Sequence, residues 1–213
     1  MKNILKRGTS LLLVVAMLLS FAVAVGATDT GLTKDAHVEI WADAVALKAG
    51  ETAYVPIYVG IDDKYGIGML DFTVYADSGV TLEDVVDAIG RTGPFGTMNQ
   101  FGNNQCFFVT SDNNGGKLVS WVSTKALETK QDGKTAIACW AKVTASQDVS
   151  AKSYAIRIGE GKSKGVLFQV ATVKTIDPDT GEETTQNVSE SDGTHGIEDA
   201  TVEDGAAIVY NTL

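Results

Sequence analysis

Apolar and polar residues alternate in this chain over short runs, and no long stretch repeats them every third or fourth position. Successive side chains of a strand point to opposite faces, so a period of two marks half-buried β-strands. The runs fall at 37–42, 52–59, 67–76, 80–89, 106–110, 117–124, 135–145, 154–158, 166–173 and 206–210. Gly, Pro, Asn and Asp separate them, as turns require. These ten runs, with short connections and no long helix, predict an antiparallel β-sandwich of about nine strands.

The run 66–76 organises the reading. Along it Leu70, Phe72 and Val74 share one face, which is apolar and suits a core. Met69, Asp71, Thr73 and Tyr75 share the other, which mixes a thioether, a carboxylate, a hydroxyl and a phenol and suits a surface that meets another protein. Elsewhere, Asp112-Asn113-Asn114-Gly115-Gly116 is a hairpin signal. Residues 43–50 read as a turn-rich connection. Pro56 cannot donate to a ladder, so its strand is expected at a sheet edge or broken there. The Gly- and Asn-rich stretch 90–105 reads as a long surface loop, with no Lys-Ser/Thr pair to make it a phosphate cradle.

The ends of the chain differ from its middle. Lys2, Lys6 and Arg7 precede an apolar run over 11–25 and then small residues, with Val25-Gly26-Ala27 or Ala22-Val23-Ala24 as cleavage sites. This is the pattern of a secretory signal peptide over 1–27, followed by a linker over 28–36 and one domain over 37–213. The expected location is extracellular. No sorting signal of Leu-Pro-x-Thr-Gly type follows, and the sequence does not set the means of anchoring.

With 213 residues, 44% of them hydrophobic, the chain is long enough for one well-buried domain. A net charge of −10 argues against a nucleic-acid partner. No Lys or Arg follows Lys174, while ten acids do, from Asp177 to Asp204. This segment reads as a solvated acidic loop. Within it, Asp177-Pro178-Asp179-Thr180-Gly181-Glu182 partly matches a calcium loop but lacks its further spacing and flanking helices, so it reads as a turn. No metal site is expected from two cysteines and two distant histidines, His37 and His195. Cys106 and Cys139 either pair in an oxidising compartment or stand as two buried thiols.

No Gly-x-Ser-x-Gly elbow or His-nucleophile pairing occurs, and most acids sit where turns want them, so no catalytic residue is assigned. Trp41, Trp121 and Trp140, with Tyr54, Tyr58 and Tyr65, raise an alternative of another class, a carbohydrate-binding module with an exposed aromatic platform. Trp121 alternates with Val119 and is expected inside. Trp140 alternates with Lys142 and is expected partly exposed.

The order of these pieces resembles the cohesin domains of cellulosome scaffold proteins. The resemblance rests on Val38-Glu39-Ile40, the stretch from Lys48 to Val59, Gly66-Ile67 with Leu70 to Tyr75, and Asp77 with Val80-Thr81-Leu82. It continues through Lys117 to Val122, Ala141 to Ala145 and the closing Glu203 to Val209, over most of 37–211. It implies a nine-stranded jelly-roll sandwich without catalysis or cofactor. Its partner would be a dockerin, a small helical module that carries its own calcium, borne by an enzyme or another scaffold protein. By resemblance, Asp71 matches the family's partner-facing acid, and the docking face holds Met69, Asp71, Thr73, Ser120, Val122, Thr124 and Lys125. Met69 replaces a residue that is polar in many cohesins. Lys125 stands where the family often has an acid, which implies a reversed partner charge. The stretch 90–105 and the acidic segment are longer than in compact cohesins, as in a divergent subgroup.

Overall fold

The computed structural model describes residues 31–87, 105–112, 115–127, 130–131, 134–135, 137–159 and 165–210. The signal peptide read over 1–27 lies outside them, as does the loop read over 90–105 except for its last residue. In chain order the strands are β1 (Val38–Ala42), β2 (Ala44–Lys48), β3 (Thr52–Ile61), β4 (Tyr65–Ala76), β5 (Val80–Asp87) and β6 (Gln105–Ser111). They continue with β7 (Lys117–Leu127), β8 (Lys130–Gln131), β9 (Lys134–Thr135), β10 (Ile137–Ala145), β11 (Ser153–Ile158) and β12 (Val166–Ile176). Last come β13 (Glu183–Asn187), a one-turn helix α1 (Glu190–Gly193), β14 (Thr194–His195), a 3-10 turn (Ile197–Asp199), β15 (Ala200–Glu203) and β16 (Gly205–Tyr210).

These strands build two main sheets. The smaller runs β15-β1-β3-β10-β5. In the larger, β4 is central: β7 and then β6 flank one edge, while β12 and β11 share the other. Beyond β12 lies β13, and beyond β11 lie β16 and β2. The expected sandwich is present, but not as purely antiparallel sheets. β1 pairs β15 in parallel, and β16 pairs β2 in parallel.

The two parallel pairs have one cause. Strands β1 and β2 are a single path that crosses from one sheet to the other at Asp43, and β15 and β16 do the same at Asp204 and Gly205. The paths run side by side. The Asp43 amide donates to the Pro56 carbonyl at 3.0 Å, and its own carbonyl accepts from Ala206 at 3.2 Å. At Gly205 a Cβ would lie 2.4 Å from the Asp43 carbonyl oxygen, so only glycine admits this approach. The stretch read as a connection over 43–50 therefore contains a strand.

Pro56 corrects another expectation. Its strand β3 is interior, between β1 and β10. In an antiparallel ladder a residue's N–H and C=O point to the same side. The Pro56 carbonyl accepts from Asp43, so the missing N–H also faces that side, where β1 has ended at Ala42. The ladder loses nothing there.

Between the sheets lies an apolar core. Val38, Ile40, Val55, Ile57, Val59, Ala141 and Val143 meet Leu70, Phe72, Val74, Val119, Ile156, Val166 and Phe168. Trp121 joins them at 1% exposure, as its alternation with Val119 predicts. Cys139 is fully buried among these residues. Cys106 takes the register position opposite Val122, and its side chain lies outside the described ones. The described part of the stretch 28–36, read above as a linker, is docked: Thr33 and Ala36 are buried, and the Thr33 hydroxyl donates to the Asp192 carbonyl at 2.6 Å.

The acidic segment is folded too, contrary to the loop reading. β12 and β13 form a hairpin whose turn is 177–182. The Asp177 carboxylate accepts the amides of Asp179 at 2.8 Å and Thr180 at 3.0 Å, and Gly181 takes a φ of 72°. This is a turn, as the Pro-Asp-x-Gly pattern predicts. Cross-strand contacts support the register, with Thr175 and Thr184 hydroxyls 2.7 Å apart and Lys174 3.6 Å from Glu183. Every residue of β13 is exposed, so the segment stays polar because it is an edge ribbon.

Two outcomes follow from this packing. Trp121→Ala is expected to cost about 3–5 kcal/mol of unfolding free energy in a denaturant titration, and a loss below about 1 kcal/mol would remove Trp121 from the core. The backbone amides of Thr180 and Asp179 hold the Asp177 carboxyl below the ordinary aspartate value of 3.8. A depressed carboxylate stabilises the folded turn above the unfolded value, and that support is lost as pH falls through the folded value. An NMR titration should place the Asp177 midpoint below 3.8, with hairpin shifts lost on further acidification; a midpoint at or above it would rule out the capped turn.

Candidate functional site

The outer face of the larger sheet carries the residues singled out from the sequence. Ladder partners share a face, so register defines the rows. One row is Gln169, Met69, Val122 and the position of Cys106; the next is Leu167, Asp71, Ser120 and Phe108. Met69, Ser120, Leu167 and Gln169 are half-buried, and Thr124 is exposed one step along β7. Val122 and Phe108 are 43% and 46% exposed, which makes them a large apolar surface in contact with water.

Asp71 sits in the middle of this surface at 9% exposure. The Ser120 hydroxyl donates to its Oδ1 at 2.5 Å. A carboxylate has about four acceptor positions, and Ser120 occupies one of them and fixes its orientation. The arrangement is a rigid acceptor ringed by Met69, Val122, Phe108 and Leu167. It suits a partner that brings apolar side chains and a few hydrogen-bond donors.

The face is narrower than alternation predicts. Thr73 is 2% exposed and Tyr75 is also buried, so Thr73 cannot be a partner contact in this fold. The reason is local. The Tyr75 phenol donates to the Asp112 carboxylate, and the hairpin after β6 lies on its ring; a Cβ at Gly116 would stand 2.3 Å from Tyr75 Cε1. At the other end, a Cβ at Gly66 would meet Thr172 Oγ1 at 2.3 Å and one at Gly68 would meet Ala171 at 3.0 Å. The accessible window is therefore centred on Met69, Asp71, Ser120 and Val122. Lys125 lies within β7, and its side chain is outside the described ones.

Phe108 and Leu167 escaped the sequence reading. Each lies in an unbroken apolar run, Cys106 to Val109 and Val166 to Phe168, where a period of two leaves no mark. Only the ladder to β7 and β4 shows which of them face out. Among the described residues, no group of three or more His, Cys, Asp and Glu is placed to hold a metal ion. No helix of the described residues is long and apolar enough to cross a membrane.

No protein-family model matches the chain, and no curated protein does. Solved structures do match. The sixth cohesin of scaffoldin B from Acetivibrio cellulolyticus, in complex with a Cel5 dockerin, aligns with a TM-score of 0.53 at 15% identity, over 82% of this chain and 99% of that one. CaCohA2 of Clostridium acetobutylicum, in complex with CaDoc0917, aligns at 0.52 and 16%, over 81% and 99%. The seventh ScaB type I cohesin of Pseudobacteroides cellulosolvens aligns at 0.51 and 13%, over 83% and 94%. At such identities the likeness is one of backbone path. This chain has the fold of the cohesin domains, a β-sandwich of jelly-roll type.

Proposed function

We propose that this protein is a secreted, non-catalytic cohesin module. It binds a dockerin and so assembles enzymes or other scaffolds in an extracellular polysaccharide-degrading complex. The observation that carries the reading is the exposed apolar surface of Met69, Val122, Phe108 and Leu167 around the Ser120-held Asp71 carboxylate. Two of the similar solved cohesins are in complexes with dockerins or a Doc module, which supports the choice of partner.

In this reading a helical module lies across β12, β4, β7 and β6. Its apolar side chains cover Val122 and Phe108, the kind of desolvated centre that dominates interface energies. Met69, unbranched and polarizable, moulds to them. Asp71 accepts from the partner's hydroxyls or main chain. Thr124 and Lys125 lie at the rim, where charge tunes partner choice more than affinity. Calcium belongs to the dockerin, and this chain supplies no cofactor. Secretion rests on the N-terminal pattern of Lys2, Lys6, Arg7 and the apolar run after them.

The test is calorimetry against a panel of dockerins from the same organism. Val122→Asp puts a charge into the centre and is expected to cost about 2–4 kcal/mol of binding free energy. Asp71→Ala should weaken binding by about 1–3 kcal/mol without unfolding the domain, and an unchanged affinity would remove Asp71 from the interface. Thr73→Ser should leave affinity as it is, because that hydroxyl is covered. If no dockerin binds the unaltered protein, the proposed partner is wrong.

A further inference from the structure

The outer face of the smaller sheet holds aromatic residues that docking on the larger sheet does not use. On β1 the polar phase carries Glu39 and Trp41; on β3 it carries Tyr54, Pro56 and Tyr58; on β10 it carries Trp140 and Lys142. Trp41 stands between two ladder neighbours, Tyr58 on β3 and Glu203 on β15. Its ring stacks on Tyr58, with centroids 5.4 Å apart and planes 13° from parallel. On the β15 side is a cleft of about 230 Å³ lined by Glu39, Ile40, Trp41, Thr201 and Glu203. Tyr58 thus backs one face of the indole, and the cleft lies on the other side.

The lining decides what fits. It offers an indole, two carboxylates and a threonine hydroxyl, whose Oγ1 is 2.7 Å from His37 Nε2. Among the described residues no Lys or Arg lines it, so an anion would meet repulsion from Glu39 and Glu203. A purely apolar ligand would leave both carboxylates without donors. A sugar ring with equatorial hydroxyls presents axial C–H groups to the indole and O–H donors to the carboxylates. A small organic cation would satisfy the cleft as well. The face beyond the cleft separates the two. Tyr58, half-buried Trp140 and 44% exposed Tyr54 continue the aromatic row across β3 and β10. Tyr54 and Tyr58 are four residues apart on one strand, about 13 Å. A single cation does not use such a row, whereas a polymer of flat rings does.

We infer that this face is a carbohydrate site, with Trp41 as its stacking residue and Glu39 and Glu203 as hydroxyl acceptors, and that its ligand is a β-linked glucan chain. It lies on the opposite sheet from the dockerin-binding face, so each reading stands or falls alone.

The experiment is native electrophoresis of the protein in gels with and without hydroxyethylcellulose, paired with tryptophan fluorescence titrations using that polymer and tetramethylammonium chloride. The expected result is retardation by the polymer that added salt does not suppress. Trp41→Ala should lower the affinity at least about tenfold, and Trp41→Phe should keep it within about threefold. Glu203→Gln, which keeps an acceptor, should weaken it by less than Trp41→Ala does. Thermal melts check that each variant is folded; if Trp41→Ala is not, the Trp41→Phe and Glu203→Gln comparison with Trp140→Ala decides, since Trp140→Ala should also reduce retardation. Equal mobility in both gels overturns the inference. So does a saturable, salt-suppressed response to tetramethylammonium alone, which would make the cleft a cation site.

Discussion

The sandwich depends on one close approach, the passage of Gly205 against the carbonyl of Asp43. Two lengths of chain cross there together from the smaller sheet to the larger, and their strands pair in parallel on both sides of the crossing. A side chain at Gly205 would stand 2.4 Å from that oxygen and force the paths apart. The Asp204 carboxylate, beside the crossing, accepts the Ile158 amide at 3.0 Å and ties β11 to the same corner. Because the first and last strands of the domain meet here, each sheet gains one parallel ladder and the two crossing segments tie the sheets together. The residues in between then pack into a core that is closed at this end by backbone contact, which is less tolerant of change than side-chain packing.

Once the sheets are held, their outer faces acquire different characters. On the larger sheet β4 is central, and its neighbours crowd it from both edges. Among the described residues the outer face is open around Met69, Val122 and Phe108, with Asp71 recessed between them, because the hairpin after β6 covers Tyr75 and the strand β12 closes over Gly66 and Gly68. The remaining window is apolar with one oriented carboxylate. On the smaller sheet the outer face is aromatic beside β1 and ionic beside β5, where Lys142 lies 2.6 Å from Glu83. Lys142 and Thr144 hydrogen bonds hold the Glu83 carboxyl below its usual range. One face is thus built around a polar atom in an apolar ring, the other around rings bordered by acids, and they suit ligands of different kinds.

The acidic C-terminal segment shows how composition can mislead. Its charge resembles that of a solvated loop, yet most of it is used in the fold. Part makes the edge ribbon with β12, and part returns through His195, which is buried against Phe168 with ring centroids 5.0 Å apart and lies 3.2 Å from Asp199. The segment then reaches β15 at the edge of the smaller sheet. Acids are tolerated along this path because strands at an edge expose one side, and charge there discourages pairing with other chains.

From the sequence alone came the class of fold, the positions of most strands and the inward set Leu70, Phe72, Val74 and Trp121. These follow from the period of two and from turn residues, which are local properties. The outward placement of Met69, Asp71, Ser120 and Val122 was legible for the same reason. Register and crossing were not. That Thr73 is covered, that Phe108 and Leu167 face out, that Pro56 sits harmlessly in an interior strand and that the acidic segment is paired all depend on which strands lie side by side. Pairing is a non-local choice, made by contacts between residues far apart in the chain, and alternation within a single strand carries no information about its neighbour.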